Sequence, residues 1–303
     1  MRKPLNLSLK IFAFLTTALV FGGAALASPL KAVCSLFPVY DFARAVAGED
    51  AEVRLLLPPG VEAHGFAPRP SDIRTLSGAD LFIYTNPLME PWAERLAETL
   101  QGPLIVNASE GITLLSGEER EHHHGHGADP HVWLDLENAQ RMVRNIAAAF
   151  ERRDPEHAEL YRKNAATYCA KLAELDGGVR AVAEGNQKGE NRPLVFVGRF
   201  AYRYFLNRYG LDWVTAYEGE TEPSPRRVAE VIRVIETRGV KSALRDELPP
   251  SAVTREIAAQ TGAELRLFHT AHTVTREELD GGTTFLKIMQ ANRDAVAAAL
   301  EGR

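Results

Sequence analysis

The chain has 303 residues and carries 35 Lys and Arg against 40 Asp and Glu, which gives a formal net charge of −5 at pH 7. This modestly acidic balance argues against a nucleic-acid-binding protein and is compatible with cation binding. The length suffices for two domains of ordinary size. Beyond the N-terminus, no apolar stretch reaches the length that a membrane-spanning helix needs.

The N-terminus has the three parts of a secretory signal peptide. Its cations are Arg2, Lys3 and Lys10. An apolar stretch over residues 11–20 follows, and the small-x-small sequence at residues 25–27 predicts cleavage before Ser28. A membrane anchor is the competing interpretation, but the apolar stretch is short for a spanning helix. We expect residues 1–27 to be removed, and the loss of three cations changes the formal charge from −5 to −8.

From residue 32 onward, short apolar runs alternate with amphipathic stretches, a pattern typical of α/β proteins. The first four predicted strands cover residues 32–36, 53–57, 81–84 and 104–107. The intervening helices are expected at residues 40–47, 71–76 and 92–100, with Ser71 as the N-cap of the second. These alternations predict one doubly wound sheet.

The middle of the chain is predicted to be helical. Helix formers fill residues 136–152, and a second helix follows Asp154-Pro155 and is expected to end near Gly177-Gly178. Its apolar stripe consists of Tyr161, Ala165, Tyr168, Leu172 and Leu175. This long helix is expected to join two lobes.

A second α/β run follows a polar segment at residues 184–192. Its predicted strands cover residues 194–197, 213–216, 242–244 and 265–268, and its helices cover residues 202–208, 225–237, 253–261 and 284–300. The predicted fold class is α/β, with two doubly wound α/β lobes joined by a long bridging helix and a ligand site in the cleft between the lobes. The expected limits are 28–150 for the N-terminal lobe, 151–184 for the bridging helix and 185–303 for the C-terminal lobe.

The two cysteines, Cys34 and Cys169, allow two interpretations. An exported protein meets an oxidising compartment, where a disulfide can form. Two buried, apolar thiols are the alternative. Neither cysteine lies in a Cys-x-x-Cys or Cys/His cluster, so neither is predicted to bind metal.

Five of the nine histidines fall within ten residues. Four of them, His122, His123, His124 and His126, lie in a Gly-containing stretch typical of a flexible, low-affinity metal collector. A solvated loop without function is the alternative. His131 stands between Pro130 and the apolar Val132-Trp133-Leu134, so it is expected to be held rigidly. Imidazole is the commonest metal ligand among side chains, so the combination indicates a transition-metal protein, with zinc first.

Other histidines follow predicted strands, where the functional loops of α/β sheets lie. His64 comes after the second strand of the first lobe. His269 comes after the last strand of the second lobe, and His272 follows three residues later. Equivalent places in two lobes favour a shared site over isolated surface histidines.

With these motifs the chain resembles the metal-binding receptors of bacterial zinc and manganese ABC transporters, the cluster A-I solute-binding proteins. The resemblance covers essentially the whole mature chain. Its motifs are His64 with the following Pro-Arg-Pro-Ser-Asp, the His-rich loop leading into Asp129-Pro130-His131, residues 201–211, Glu222-Pro223-Ser224-Pro225, and Met289 with Asn292. The resemblance implies two lobes bridged by a rigid helix, a divalent metal ion between them, and delivery to an ABC permease in the inner membrane.

Position by position, the resemblance implies that His64 and His131 are the first two metal ligands. The third family position falls on Arg199, which is always protonated and cannot bind a cation. The fourth, an Asp in the family, falls near His269, with His272 as an alternative register. Arg199 has three open roles: a salt bridge away from the site, contact with an anion or carboxylate that completes the coordination, or recognition of an anionic metal chelate.

Three imidazoles with one open position form a recognised zinc site. Manganese prefers oxygen donors, which are missing from the matched positions, so it is less favoured, whereas Cu(II) and Ni(II) also suit nitrogen donors. Each imidazole must be neutral to bind a metal, so metal affinity is expected to fall steeply below about pH 6.

The sequence therefore predicts a monomeric, periplasmic receptor, not an enzyme, that captures zinc for an ABC permease. One alternative is the same scaffold redirected through Arg199 to an anion or a metal chelate. Another is a zinc-dependent periplasmic hydrolase, with Glu62 and Asp246 as the nearest candidates for a general base. The hydrolase is disfavoured because the chain has no His-Glu-x-x-His helix.

Deletion of residues 119–127 tests the role of the His-rich loop. We expect weaker metal capture at low zinc concentration, because the collecting imidazoles are lost, while one tight site remains. Zinc titration of the parent and the deletion variant measures both effects. Loss of the tight site on deletion would contradict this division of roles.

Overall fold

The computed structural model describes residues 28–115, 128–187, 194–198, 201–217 and 222–301. The predicted signal peptide, Arg199 and the histidines of the collector loop (His122, His123, His124 and His126) lie outside these residues. Among the residues that are described, no helix combines the length and the apolar character that crossing a membrane requires.

The first lobe is built on a parallel sheet of four strands in the order β2-β1-β3-β4. These strands are β1 (Leu30–Cys34), β2 (Ala51–Leu55), β3 (Leu81–Tyr84) and β4 (Leu104–Asn107). The helices α1 (Phe37–Ala47), α2 (Pro70–Ser77) and α3 (Pro91–Ala97) connect them. Because all four strands run in parallel, their carboxyl ends, and the loops that follow, lie at one edge of the sheet.

Helix α2 begins two residues earlier than a Ser71 N-cap predicted. Pro70 occupies its first turn, and the N-cap residue is Arg69, whose backbone N–H donates to the Asp72 carboxylate at 2.8 Å. The prediction of Ser71 as the N-cap is therefore wrong. Proline is favoured in the first helical turn because its missing N–H would have no partner inside the helix.

The second lobe repeats the arrangement, with a parallel sheet in the order β6-β5-β7-β8. Its strands are β5 (Leu194–Val197), β6 (Asp212–Val214), β7 (Ser242–Arg245) and β8 (Glu264–Leu267). Its helices are α6 (Arg203–Arg208), α7 (Pro225–Arg238), α8 (Ala252–Thr261), α9 (Arg276–Asp280) and α10 (Phe285–Glu301). The predicted fold class is confirmed, and the short α9 is an addition that no apolar stripe signalled.

Two helices lie between the lobes in the chain, α4 (Leu136–Arg153) and α5 (Ala158–Gly185). The 28 residues of α5 correspond to about 42 Å of helix. The predicted end near Gly177-Gly178 is wrong, because the buried stripe continues through Val179 and Ala183. Burial of that stripe offsets the poor helix propensity of glycine. The domain limits at residues 150 and 184 stay predictions.

A buried polar contact joins both lobes to α5. The Asp41 carboxylate in α1 accepts hydrogen bonds from the Tyr168 hydroxyl in α5, at 2.7 Å, and from the Phe285 backbone N–H in α10, at 3.0 Å. Around it, the ring of Phe42 packs against the rings of Tyr168 and Phe285, with centroids 5.9 and 4.9 Å apart. The apolar core is therefore continuous from the first lobe through α5 to α10.

A second contact fixes α6 to the helices between the lobes. The Arg208 guanidinium binds both carboxylate oxygens of Asp176 in α5, at 2.6 and 2.8 Å. It also reaches Asp135, at 3.1 Å, and Glu137, at 2.9 Å. Asp135 is the N-cap of α4 and accepts the backbone N–H of Glu137 at 2.8 Å. Such a bidentate, partly buried pair holds its partners in one orientation.

Cys34 in β1 and Cys169 in α5 are both buried, free thiols. The structure therefore agrees with the interpretation that both cysteines are buried thiols and do not form a disulfide. Burial raises the pKa of both. They therefore stay protonated, which disfavours metal binding through sulfur.

Replacement of Gly177 by Ala tests whether α5 is continuous. Nothing lies within 4 Å of a Cβ at Gly177, and its backbone is helical, so we expect the free energy of unfolding to rise by about 0.5–1 kcal/mol. Gly239→Ala is the matched control, since it has equal space but a φ of +65°, and we expect it to destabilise the protein. Thermal unfolding measures both, and a lower midpoint for Gly177→Ala would contradict a continuous helix.

Candidate metal site

Three histidines from loops of both lobes meet in the cleft. His64 follows β2, His131 precedes a short 3-10 turn (Val132–Leu134), and His272 follows β8. The ring centroid of His272 lies 5.8 Å from that of His64 and 5.8 Å from that of His131. The His64 and His131 centroids are 6.3 Å apart. The three imidazoles thus form a nearly equilateral triangle.

The size of this triangle is close to that of a metal site. Three imidazoles on one tetrahedral zinc, at 2.0–2.1 Å per nitrogen, put their ring centroids roughly 5 Å apart. The observed separations of 5.8–6.3 Å exceed this value by about an ångström. Small side-chain movements are enough to close the difference.

His131 is oriented by a carboxylate. Its Nδ1 lies 2.9 Å from Oδ1 of the buried Asp129, and the same oxygen accepts the His131 backbone N–H at 3.0 Å. Carboxylate contact to one ring nitrogen fixes the tautomer and makes the other nitrogen a better metal ligand. The Asp129-Pro130-His131 sequence therefore leaves Nε2 of His131 to face the cleft.

The turn after His131 connects the lobes. Trp133 is fully buried, and its indole N–H donates to the backbone carbonyl of Thr270 in the second lobe at 2.8 Å. Thr270 stands two residues before His272. The bond therefore sets the distance between the segment that carries His131 and the segment that carries His272.

Glu90 helps to fix the segment that carries His131, although the sequence did not mark it as a candidate. Its fully buried carboxylate accepts the backbone N–H groups of Thr85 and Asn86, each at 3.1 Å, and the hydroxyl of Ser35. The Asn86 side chain in turn donates to the carbonyl of Pro130 at 3.0 Å. Burial raises the pKa of Glu90 to about 7. An acidic residue shortly after a predicted strand was the available signal.

The loop of His64 is fixed at three points. The indole N–H of Trp92 donates to the carbonyl of Ala63 at 3.0 Å. The Glu62 carboxylate accepts the backbone N–H groups of His64 and Gly65, both at 3.0 Å. The Gly60 backbone N–H donates to the Thr273 hydroxyl at 2.8 Å, which ties this loop to the second lobe.

His272 has a buried nitrogen that suits a metal ligand. Its Nε2 makes no hydrogen bond to the described residues and lies 3.8 Å from a carboxylate oxygen of Glu62. Ligand atoms of Glu62, His64 and His272 all lie within 4.8 Å of one another. From the sequence, Glu62 was considered only as a candidate general base. Its position two residues before His64 was the signal that it could also be a metal ligand.

His269, the first choice for the last ligand, has other partners. Its Nδ1 accepts the Ala271 backbone N–H at 2.9 Å, and its Nε2 lies 3.5 Å from an oxygen of Glu278. In the described part of the chain, the ring of His272 lies beside those of His64 and His131, and the group of ligand atoms within 4.8 Å of one another contains Glu62, His64 and His272 but neither His269 nor His131. The structure therefore favours the alternative register.

The pKa of His272 predicts an acid dependence of folding in the metal-free protein. Burial, and then repulsion from His131 and His64, lowers this pKa from 6.5 to about 4. Between pH 6.5 and pH 4, the His272 side chain is therefore protonated in the unfolded chain but neutral in the folded chain. The free energy of unfolding therefore falls as the pH drops from 6.5 to 4, by about 2–3 kcal/mol at most.

Urea unfolding of metal-free protein between pH 7 and pH 4 measures this dependence. His272→Gln is expected to remove part of it. His157→Gln is the control, because a hydrogen bond to Asp154 raises the pKa of the exposed His157 and gives its contribution the opposite sign. An unchanged acid dependence in His272→Gln would contradict the lowered pKa.

Comparison with known proteins gives a consistent set of relatives. A family model described as "ZnuA: Zinc-uptake complex component A periplasmic" matches residues 32–299. The high-affinity zinc uptake system protein ZnuA of Bacillus subtilis is 34% identical over 283 residues, 89% of this chain and 88% of that protein. The zinc-binding protein AdcA of Streptococcus pyogenes serotype M3 is 29% identical over 287 residues, 88% of this chain. The chain spans 55% of the length of AdcA.

Solved structures show the same fold. The metal-dependent lipoprotein YcdH from Bacillus subtilis is 32% identical, with a TM-score of 0.78, over 89% of this chain and 98% of that chain. The zinc-bound ZnuA-like domain of Streptococcus pneumoniae AdcA is 28% identical, with a TM-score of 0.74, over 90% of this chain and 100% of that domain. The resemblance inferred from the motifs is confirmed: the chain belongs to the ZnuA family of zinc-uptake components.

Proposed function

We propose that this protein is an exported receptor that binds zinc in the cleft between its lobes and delivers it to an ABC permease in the inner membrane. The triangle of His64, His131 and His272 is the observation that carries the proposal. Family membership supports it, as do the zinc-uptake and zinc-bound descriptions of the relatives. The same membership argues against the zinc-dependent hydrolase.

Three nitrogen donors explain why zinc is the proposed ligand. The neighbouring rings of His64, His131 and His272 supply them, and a carboxylate oxygen of Glu62 lies within 4.8 Å of ligand nitrogens of His64 and His272. A set of three imidazoles and one carboxylate suits zinc better than manganese, which prefers oxygen ligands. His269 is replaced by His272 in this ligand set.

The architecture supports capture with little lobe movement. Helix α5 is continuous, and Arg208 ties α6 to it through Asp176. The cleft is also crossed by the bonds from Trp133 to Thr270 and from Gly60 to Thr273. Because hinge closure needs flexible connections, we infer that zinc binding and release depend on loop and side-chain motion. Location in the periplasm and a monomeric state belong to this proposal.

Zinc titration of residues 28–303 tests the proposed function. We expect one tight zinc per chain in the parent protein. His64→Ala and His272→Ala are each expected to weaken binding by more than about 100-fold, because each removes a ligand. His157→Ala, which removes a half-exposed histidine from the start of the helical segment before α5, is the control that should bind like the parent.

The Arg199→His variant distinguishes a receptor for bare zinc from a receptor that binds an anion or a metal chelate through Arg199. If the protein receives bare zinc, this variant keeps or strengthens the tight site, because it adds an imidazole and removes a cation. A parent that binds no zinc tightly, together with a gain of binding in Arg199→His, would overturn the proposal. That result would favour an anion or a metal chelate as the natural ligand.

A further inference from the structure

The turn that presents His272 has an unusual backbone. Ala271 is fully buried and has a φ of +58°. Among the described residues, it is the one residue other than glycine with a positive φ. L-amino acids with a Cβ disfavour this left-handed region, so a buried alanine there needs compensating contacts. This residue lies between β8 and His272.

His269 provides a contact that closes this turn. Its Nδ1 accepts the backbone N–H of Ala271, two residues later, at 2.9 Å. Asn and Asp side chains close turns by the same i to i+2 geometry. Because Nδ1 accepts, the ring proton is on Nε2, which faces Glu278 at 3.5 Å. Nε2 of His269 makes no hydrogen bond to the described residues, so the hydrogen bond of this ring is the one at Nδ1.

The backbone of His269 is held as firmly as its ring. The buried side chain of Asn292 in α10 accepts the His269 N–H and donates to the His269 carbonyl, each at 2.8 Å. Two opposed hydrogen bonds from one amide leave the residue a single orientation. This is the position from which the ring reaches the N–H of Ala271.

Thr270, between these two residues, is bound on both sides. The Glu247 carboxylate accepts its backbone N–H at 2.9 Å and its hydroxyl at 2.8 Å. The carbonyl of Thr270 accepts the indole N–H of Trp133 from the first lobe at 2.8 Å. Residues 269–271 thus make directed hydrogen bonds through their backbone groups and through Nδ1 of His269, whereas Nε2 of His269 and of His272 makes none with the described residues.

We propose that His269 is a positioning residue: its Nδ1 closes the left-handed turn at Ala271 and so directs the His272 imidazole toward His64 and His131. His269 itself does not bind the metal. The inference rests on the proposed zinc site and assigns a separate task to the histidine nearest the strand end. What position 269 requires is a hydrogen-bond acceptor at the right reach, and an imidazole is one way to supply it.

A pair of amide variants tests this requirement. His269→Asn places a carbonyl oxygen within reach of the Ala271 N–H, whereas His269→Gln has the same amide one methylene further away. We expect His269→Asn to bind zinc within about 3-fold of the parent and His269→Gln to bind about 10–100-fold more weakly. Equal and severe loss in both, as large as in His272→Ala, would identify His269 as a ligand. Parent-like affinity in His269→Gln would show that the contact has no effect on the site.

Two further measurements separate positioning from ligation. The visible absorption of Co(II)-loaded protein reports the ligand set, and we expect His269→Gln to keep the parent band positions while His272→Ala shifts them. Adding Ala271→Gly to His269→Gln is expected to restore part of the affinity, because glycine adopts positive φ without the contact. Altered Co(II) bands in His269→Gln, or no rescue by glycine, would overturn the proposal.

The same variants distinguish failure of this inference from failure of the proposed function. If the parent binds no zinc, the proposed function fails at the first titration. The turn is then still tested by urea unfolding of the metal-free proteins, in which His269→Gln is expected to destabilise more than His269→Asn. Ala271→Gly should reduce that difference, and an unchanged difference would refute the role of Nδ1 in closing the turn.

Discussion

The hydrogen bond from the Trp133 indole to the Thr270 carbonyl joins the lobes at the level of the candidate site. It connects the segment that carries His131 to the segment that carries His272, so the separation of these imidazoles depends on it. Both groups are buried, and a buried N–H or carbonyl that lost its partner would be left without compensation for its desolvation. The contact therefore holds together the segments that carry two of the three imidazoles.

Contacts further from the site also fix the lobes relative to the helices between them. Helix α5 runs unbroken past Gly177, and Arg208 fixes α6 to it through both oxygens of Asp176. The Asp41 carboxylate links α1, α5 and α10 within one continuous core. Close-packed interiors deform little, so we expect little movement of one lobe relative to the other. Loops at the strand ends carry the functional side chains on this rigid base.

Several elements were predictable because their signals are local. The strands β3, β4 and β5 were predicted residue for residue. β3 and β5 are buried throughout, and buried parallel strands are continuous apolar runs. Errors arose where packing overrides propensity. Gly177 and Gly178 predicted an end to α5, but the buried stripe continues beyond them, and Ser71 lost the N-cap position to Arg69 because Pro70 suits the first turn.

The sequence by itself determined the fold class, the family, and the choice of His64 and His131 as candidates, because strand periodicity and short motifs reside in neighbouring residues. Only the tertiary structure brought His272 beside them, because the relevant contacts join residues far apart in the chain. The Gly60–Thr273 and Trp133–Thr270 bonds are examples. His269 and His272 have the same side chain and similar neighbours, so spacing could not separate them. What separates them is the direction of each ring, which is decided by a left-handed turn and by side chains from distant elements.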